Sequence, residues 1–173
     1  MSRSLRVTLS VVLALSFLLV TSPAQAAVLV RVLRYDASRS AEFVNVVNQA
    51  AQVWNANVVN VRLMQGTPAG FVVLADNNWP RTLPTSLGRG TIWMGRQAVN
   101  QGYNPLRIAT HEIGHILGLP DRRTGLCSDL MSGSSAPVSC TNATPSGAER
   151  AEVDRNFAGS APAVEFGRVH EDR

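Results

Sequence analysis

Residues 110–133 read THEIGHILGLPDRRTGLCSDLMSG and contain two histidines four positions apart, His111 and His115. Side chains four residues apart lie on the same face of a helix, so both imidazoles can reach one ion. Glu112 stands beside the first histidine, where its carboxylate can approach a water on that ion without being a ligand. Gly118 accepts a positive φ and lets the chain reverse after the helix. These residues predict a helix with a metal-binding face, followed by a sharp turn.

A third ligand is needed, because a catalytic zinc ion takes three protein ligands and leaves one position for water. The third ligand must come from a segment of the chain that has turned back after the helix. Asp121 stands three residues after Gly118, and the only histidine besides His111 and His115 lies near the end of the chain, so Asp121 is the favoured third ligand. The pattern is typical of zinc peptidases, with Glu112 as the general base. A structural helix with two surface histidines is the alternative, and the surrounding motif disfavours it.

Length and composition bound the other possibilities. The chain has 173 residues, 45% of them apolar and 16% charged, which is typical of one globular domain with a hydrophobic core. The formal charge is +4, and all 16 basic residues are arginines scattered along the chain. A nucleic-acid-binding surface requires basic residues clustered on one face, so we expect no nucleic-acid partner.

The first 26 residues have the pattern of a secretory signal peptide. Arg3 and Arg6 precede an apolar run over residues 7–20, and Ala24-Gln25-Ala26 fits a cleavage site. An uncleaved membrane anchor is the alternative, which the short apolar run disfavours. We therefore expect a secreted, extracellular protein that starts at Ala27 and has no membrane association after cleavage. A strand pattern begins at once, so we also expect no pro-segment.

The remaining pattern predicts one domain over residues 27–158. Alternating residues at 28–35 predict a strand, and an apolar stripe at 40–55 predicts a helix. We expect further strands at 57–65 and 70–75, a loop at 76–90, a short strand at 91–94, and helices at 105–117 and 146–157. The 91–94 strand could be an edge that pairs with an extended substrate, although a purely structural strand fits equally well. Residues 159–173, here called the tail, lack apolar periodicity and are predicted to be disordered.

The chain has two cysteines, Cys127 and Cys140. An even number in an exported protein favours a disulfide, with two free thiols or additional zinc ligands as the alternatives. Met131 lies between them. Taken alone, Met131 would be interpreted as an ordinary core residue. Its position ten residues after Asp121 is typical of the Met-turn beneath the zinc of metzincins.

The segments HEIGHILGLPD, LCSDLMSG and PVSCTNATP closely resemble the snapalysin family, small extracellular neutral metalloproteases of Streptomyces. The specific match covers residues 107–157. That family is a metzincin group in which aspartate is the third zinc ligand. The resemblance also implies a preference for an aromatic residue just after the cleaved bond. It implies zinc on His111, His115 and Asp121, Glu112 as base, a Cys127–Cys140 disulfide and Met131 beneath the metal.

Two positions depart from the family pattern. Family members tend to have a tyrosine two residues after the aspartate ligand, whereas this chain has Arg123 and no later tyrosine. Arg123 is therefore a candidate stabiliser of the transition state, and altered activity is the alternative. The family can also bind calcium just before the catalytic helix. Here that stretch reads Asn104-Pro105-Leu106, and we do not extend the calcium site to this chain.

We predict an α+β, metzincin-like zinc peptidase domain. Its twisted, mostly parallel sheet would carry two main helices, a Met-turn and a short C-terminal helix. The predicted function is hydrolysis of peptide bonds in protein or peptide substrates by a monomeric, Zn2+-dependent endopeptidase. Two alternatives are a non-catalytic zinc-binding protein on the same scaffold and a metal-dependent amidase acting on cell-wall peptides. Glu112 argues against the first, because zinc binding does not require it.

Overall fold

The computed structural model describes residues 29–173, so the predicted signal peptide at 1–26 lies outside the described part. Within that part, none of the helices is long and apolar enough to cross a membrane. Short 3-10 turns occur at Ala41–Phe43 and Leu130–Ser135. The strands and helices, in chain order, are β1 (Arg31–Arg39), α1 (Val44–Asn57), β2 (Val61–Gln65), β3 (Phe71–Asp76), β4 (Arg81–Ser86), β5 (Arg89–Gly95), α2 (Arg96–Asn100), α3 (Pro105–Ile116), α4 (Gly147–Phe157) and β6 (His170–Glu171).

The six strands form one sheet in the order β2-β1-β3-β5-β4-β6. β1 pairs in parallel with β2 and β3, and β3 pairs in parallel with β5. β4 runs antiparallel to β5 on one side and to β6 on the other. The prediction of a mostly parallel sheet in an α+β fold is therefore confirmed.

Helix α1 packs on the sheet through the apolar stripe that the sequence indicates. Val47, Ala50, Ala51 and Trp54 are all buried, as a helix with one apolar face requires. The Trp54 indole N–H donates a 2.9 Å hydrogen bond to the carbonyl of Thr110, on α3. A buried indole needs such a partner, and this bond fixes α1 against the helix that carries the histidines.

The prediction of a loop at 76–90 is wrong, because residues Arg81–Ser86 form β4. Thr82 and Pro84 are its buried residues, so its inward face has neither the apolar nor the β-branched run that identifies a strand in sequence. The strand exists because it pairs with β5 along its length. It follows that the 91–94 strand, which is part of β5, lies between β3 and β4 and is not an edge.

The predicted disorder of the tail is also contradicted by the structure. His170 and Glu171 form β6 on the outer side of β4, and Asp172 is only 7% exposed. The tail has no apolar periodicity because backbone pairing and polar contacts, rather than a hydrophobic face, hold it there. Val164 and residues 170–172 thus pack against the predicted domain.

Candidate metal centre and active site

Helix α3 begins and ends where its cap residues predict. The Asn104 side-chain oxygen accepts a 3.0 Å hydrogen bond from the backbone N–H of Arg107, and Pro105 is the first helical residue. Gly118 has φ 95°, and a Cβ there would lie 2.6 Å from the side-chain amide of Asn156. Both conformation and space therefore require glycine at the turn that follows the histidines.

His111 and His115 are buried and point their Nε2 atoms at each other, 3.1 Å apart. Nδ1 of His111 lies 3.0 Å from the carbonyl of Leu130, and Nδ1 of His115 lies 2.9 Å from the carbonyl of Leu119. A carbonyl only accepts hydrogen bonds, so each Nδ1 carries a hydrogen, and Nε2 is the atom of each ring that can bind a metal ion or a further proton. Two lone pairs this close repel each other unless a cation or proton lies between them.

Asp121 completes a group of three donors. Its Oδ1 lies 3.3 Å from Nε2 of His111 and 3.7 Å from Nε2 of His115. Ligands at about 2.0 to 2.1 Å from a tetrahedral zinc ion stand about 3.3 Å apart, so the three separations fit zinc. Among the residues described, Oδ1 of Asp121 is one of two buried side-chain polar atoms that lack a hydrogen-bond partner.

The charges around the histidines favour a cation. Burial alone would lower the pKa of His111, but the carboxylates of Asp172, Asp121 and Glu112 outweigh it and raise that pKa to about 10. Burial and the neighbouring His111 lower the pKa of His115 to about 3, so this imidazole is neutral at neutral pH. Three carboxylates around two imidazoles give a site that binds either protons or a metal ion.

Glu112 is fully buried, and its two carboxylate oxygens have different environments. Oε2 accepts a 2.7 Å hydrogen bond from the hydroxyl of Thr82 on β4. Oε1 is the second buried atom without a partner among the described residues. Burial is the main cause that raises the pKa of Glu112 to about 8. A cation at the histidines would favour the ionised form and leave Oε1 as a free proton acceptor.

The Leu130–Ser135 turn, here called the Met131 segment, lies against α3. Met131 is fully buried, and a Cβ on Gly114 would lie 2.7 Å from its sulfur, so glycine is needed for this close approach. The Met131 N–H donates a 2.7 Å hydrogen bond to Oε1 of Glu149 on α4. Glu149 also forms the predicted capping box with Ser146. The capping pattern identifies Glu149 but gives no sign of its bonds to the Met131 segment.

Cys127 and Cys140 form a disulfide with their Cα atoms 5.6 Å apart. It closes a loop that contains the Met131 segment. Arg107 is 6% exposed, and its guanidinium donates to the carbonyls of Cys127 and Asp129 in this loop and of Asn142 just after it. Sequence reasoning missed Arg107, because an arginine on a helix is usually solvated.

Arg123 lies at the rim of the metal site. It has a left-handed backbone conformation with φ 49°. Its guanidinium donates 2.8 Å and 3.1 Å hydrogen bonds to the Ser134 hydroxyl and the Glu171 carbonyl, and lies 3.7 Å from Oδ2 of Asp121. Asp172 also lies at this site, within 4.8 Å of both His111 and Glu112. No sequence pattern pointed to Asp172 or Thr82.

A helix that carries two facing imidazoles above a buried methionine, with a carboxylate returning after a glycine turn, is the arrangement that zinc-peptidase motifs predict. The chain belongs to the Streptomyces extracellular neutral proteinase (M7) family, whose model matches residues 29–160. The predicted family resemblance is therefore confirmed. The residue roles within the site remain predictions.

Curated relatives carry the name extracellular small neutral protease. The protein from Streptomyces coelicolor is 45% identical over 127 residues, which cover 72% of this chain and 58% of the relative. The protein from Streptomyces sp. (strain C5) is 41% identical, with 55% of its length covered. The protein from Streptomyces caespitosus is 40% identical over 126 residues and is covered over 95% of its length. The chain thus spans little more than half of the first two relatives.

Among solved structures, the chain is similar to high choriolytic enzyme 1, a hatching enzyme zinc-protease from Oryzias latipes (Medaka fish). The TM-score is 0.40 and the sequence identity is 19%. The match covers 54% of this chain and 46% of that chain.

Proposed function

We propose that this protein is a secreted zinc-dependent endopeptidase that hydrolyses peptide bonds in protein substrates. One observation carries the proposal most directly. The buried donors of His111, His115 and Asp121 converge at the spacing that zinc requires, and a carboxylate oxygen of Glu112, whose Oε1 has no hydrogen-bond partner, lies within 4.8 Å of a His111 nitrogen. Membership in a neutral proteinase family supports the same conclusion. The names of the relatives, which describe extracellular proteases, support secretion.

His111, His115 and Asp121 would hold the ion. When bound, zinc would act as a Lewis acid and make a water more acidic. Glu112 would take a proton from the attacking water on Oε1 and transfer it to the leaving amine, so that one water is consumed for each peptide bond. Thr82 keeps Oε2 occupied and so fixes the direction of the carboxylate. The products are two peptides, one with a new carboxylate and one with a new amine.

The substrate would bind as an extended strand beside β4. β4 is the strand that carries Thr82, and its side away from β5 accepts antiparallel pairing, as β6 demonstrates. An extended peptide there would pass directly over Glu112. Backbone pairing is independent of side chains, which suits an enzyme that acts on protein substrates.

The test is hydrolysis of casein by the full-length protein with and without a zinc chelator. We expect activity to be lost with chelator, restored by zinc, and reduced at least about a thousandfold in Glu112→Gln, since this variant keeps the shape but cannot accept a proton. Glu42→Gln is the matched control, because its exposed carboxylate pairs with Arg96 and not with any residue of the metal site. Activity that survives both the chelator and Glu112→Gln would refute the proposal.

A further inference from the structure

The backbone of the tail pairs with the strand that lies over Glu112. His170 and Glu171 are opposite Thr82 and Arg81 in antiparallel register. The Asp172 N–H donates a 3.1 Å hydrogen bond to the carbonyl of Pro80, which extends the pairing by one step. Thr82 is also the residue whose hydroxyl binds Glu112. The tail therefore runs along the edge of β4 next to the candidate catalytic group.

The side chains of this stretch fill the space beside the metal-binding residues. Asp172 is 7% exposed, and its carboxylate lies within 4.8 Å of a ring nitrogen of His111 and a carboxylate oxygen of Glu112. Its Oδ1 accepts a 2.7 Å hydrogen bond from the N–H of Ser134, in the Met131 segment. The ring of His170 stacks on His115 with centroids 4.8 Å apart. Water or peptide cannot occupy these positions at the same time.

Arg123 also binds the tail. Its guanidinium donates to the backbone carbonyls of Glu171 and Arg173 and lies 3.4 Å from Oδ1 of Asp172. The left-handed backbone of Arg123 is unfavourable at a residue other than glycine. These contacts offset that cost by giving the guanidinium three acceptors. The Arg123 side chain, which lies at the rim of the metal site, is thus directed towards the tail.

A second attachment point lies upstream. Val164 is buried, and its N–H donates a 3.3 Å hydrogen bond to the carbonyl of Gly118. Residues 165–169 between this point and β6 are exposed, with one backbone contact among them, a 2.7 Å hydrogen bond from the Gly167 N–H to the carbonyl of Pro84. The tail is thus attached at both ends of an accessible stretch, which is where proteases cut most readily. All of these contacts from residue 164 onwards lie beyond the family match at 29–160.

We propose that the tail is an intramolecular inhibitor that occupies the substrate position along β4 and releases it when it is cut or displaced. This inference rests on the proposed function, because it assigns the same cleft to tail and substrate. A cation held by the histidines would attract the Asp172 carboxylate and strengthen the blockade. Cleavage within residues 165–169 would turn an intramolecular ligand into a free peptide and lower its effective concentration.

The first experiment compares the full-length protein with Asp172→Pro, which removes both the N–H that pairs with Pro80 and the carboxylate. We expect kcat/KM for casein to rise about tenfold, as for a cleft that is blocked about nine-tenths of the time. Arg168→Ala is the matched control, because its exposed side chain contacts only Glu165. Equal kcat/KM values for wild type and Asp172→Pro would overturn the inference.

The second measurement does not depend on catalysis. In the Glu112→Gln background, hydrogen exchange at the Ser134 amide reports directly on its bond to Asp172. We expect this amide to exchange at least about tenfold faster in Glu112→Gln/Asp172→Pro than in Glu112→Gln alone. A synthetic peptide of residues 163–173 should bind the double variant and, in trans, inhibit Asp172→Pro competitively. Unchanged exchange together with absent peptide binding would overturn the inference.

The two proposals fail in different ways. If neither wild type nor Asp172→Pro hydrolyses casein with zinc, the peptidase proposal is overturned. In that case the exchange of Ser134 and the binding of the peptide still decide whether the tail occupies the cleft. Thermal unfolding of Asp172→Pro and Arg168→Ala verifies that both variants are folded.

Discussion

Thr82 illustrates how one hydroxyl can set the properties of a buried acid. Its hydrogen bond to Oε2 of Glu112 is 2.7 Å long and lowers the pKa of that carboxyl, against the larger effect of burial, which raises it. The same bond holds Oε2 and so restricts the orientation of the carboxylate. Thr82 is therefore a positioning residue, because it acts through Glu112 and not on the substrate.

We predict that Thr82→Val lowers kcat/KM about tenfold, since valine keeps the shape but leaves Oε2 without a donor. The pKa of Glu112 should rise, so the acidic limb of the kcat/KM–pH profile should move to higher pH. Thr82→Ser keeps a hydroxyl and should restore most of both properties. A lower rate without any displacement of the acidic limb would contradict this positioning role.

At the scale of single elements, helix α4 holds the Met131 segment in place beneath the candidate metal site. Glu149 accepts hydrogen bonds from the N–H groups of Leu130 and Met131 at 3.2 and 2.7 Å, and its Oε2 also accepts a 2.6 Å bond from the N–H of Ser146. One buried carboxylate thereby connects the start of α4 to the turn beneath the histidines. Its loss would affect both elements at once.

We predict that Glu149→Ala lowers the free energy of unfolding by about 2 to 4 kcal/mol, because it removes a helix cap and leaves buried N–H groups unsatisfied. Urea denaturation of the purified protein measures the change. Glu149→Gln, which keeps a carbonyl acceptor, should lose less. Glu165→Ala, at an exposed glutamate, should change the value by less than about 0.5 kcal/mol. A loss of similar size at both positions would show that Glu149 has no special role.

At the scale of the whole molecule, the buried ionisable groups make stability depend on pH. The pKa of Glu112 is about 8 in the folded protein against an ordinary value of 4.5, and that of His111 is about 10 against 6.5. For each group, between its ordinary pKa and its folded-state pKa, the folded protein holds a proton that the unfolded chain has lost. Stability therefore falls as pH rises through that range. The pKa values of His115 and Asp121 are lowered, so these two groups make stability rise with pH. Their stabilising effect is fully present above pH 6.5 for His115 and above pH 3.8 for Asp121.

We therefore predict that the metal-free protein loses stability between pH 6.5 and 8, measured by thermal unfolding in the presence of chelator. Glu112→Gln should reduce the slope, because one of the two responsible groups is removed. Zinc should stabilise the protein more at pH 8 than at pH 6.5, since metal and protons compete for the same donors. Stability that rises over this range without metal would contradict the prediction.

The sequence alone determined the parts of the protein that depend on local spacing. The four-residue separation of His111 and His115, the Asn104 cap and the Gly118 turn define α3, because helix periodicity and glycine's freedom act within a few residues. The pattern of apolar residues indicated an α+β fold, and the cysteine count favoured the disulfide that the structure contains. The motif order also led to the correct family.

Only the tertiary structure decided what depends on pairing between distant residues. β4 has no apolar alternation to reveal it and forms because β5 pairs with it, which brings Thr82 to Glu112, 30 residues away. The tail has no hydrophobic face and is held by backbone hydrogen bonds, which any sequence can form, together with contacts of individual side chains such as Asp172. Asp172 therefore reaches His111 through packing that no local pattern encodes. The metal-binding helix is a local property of the chain, whereas access to it is a property of the fold.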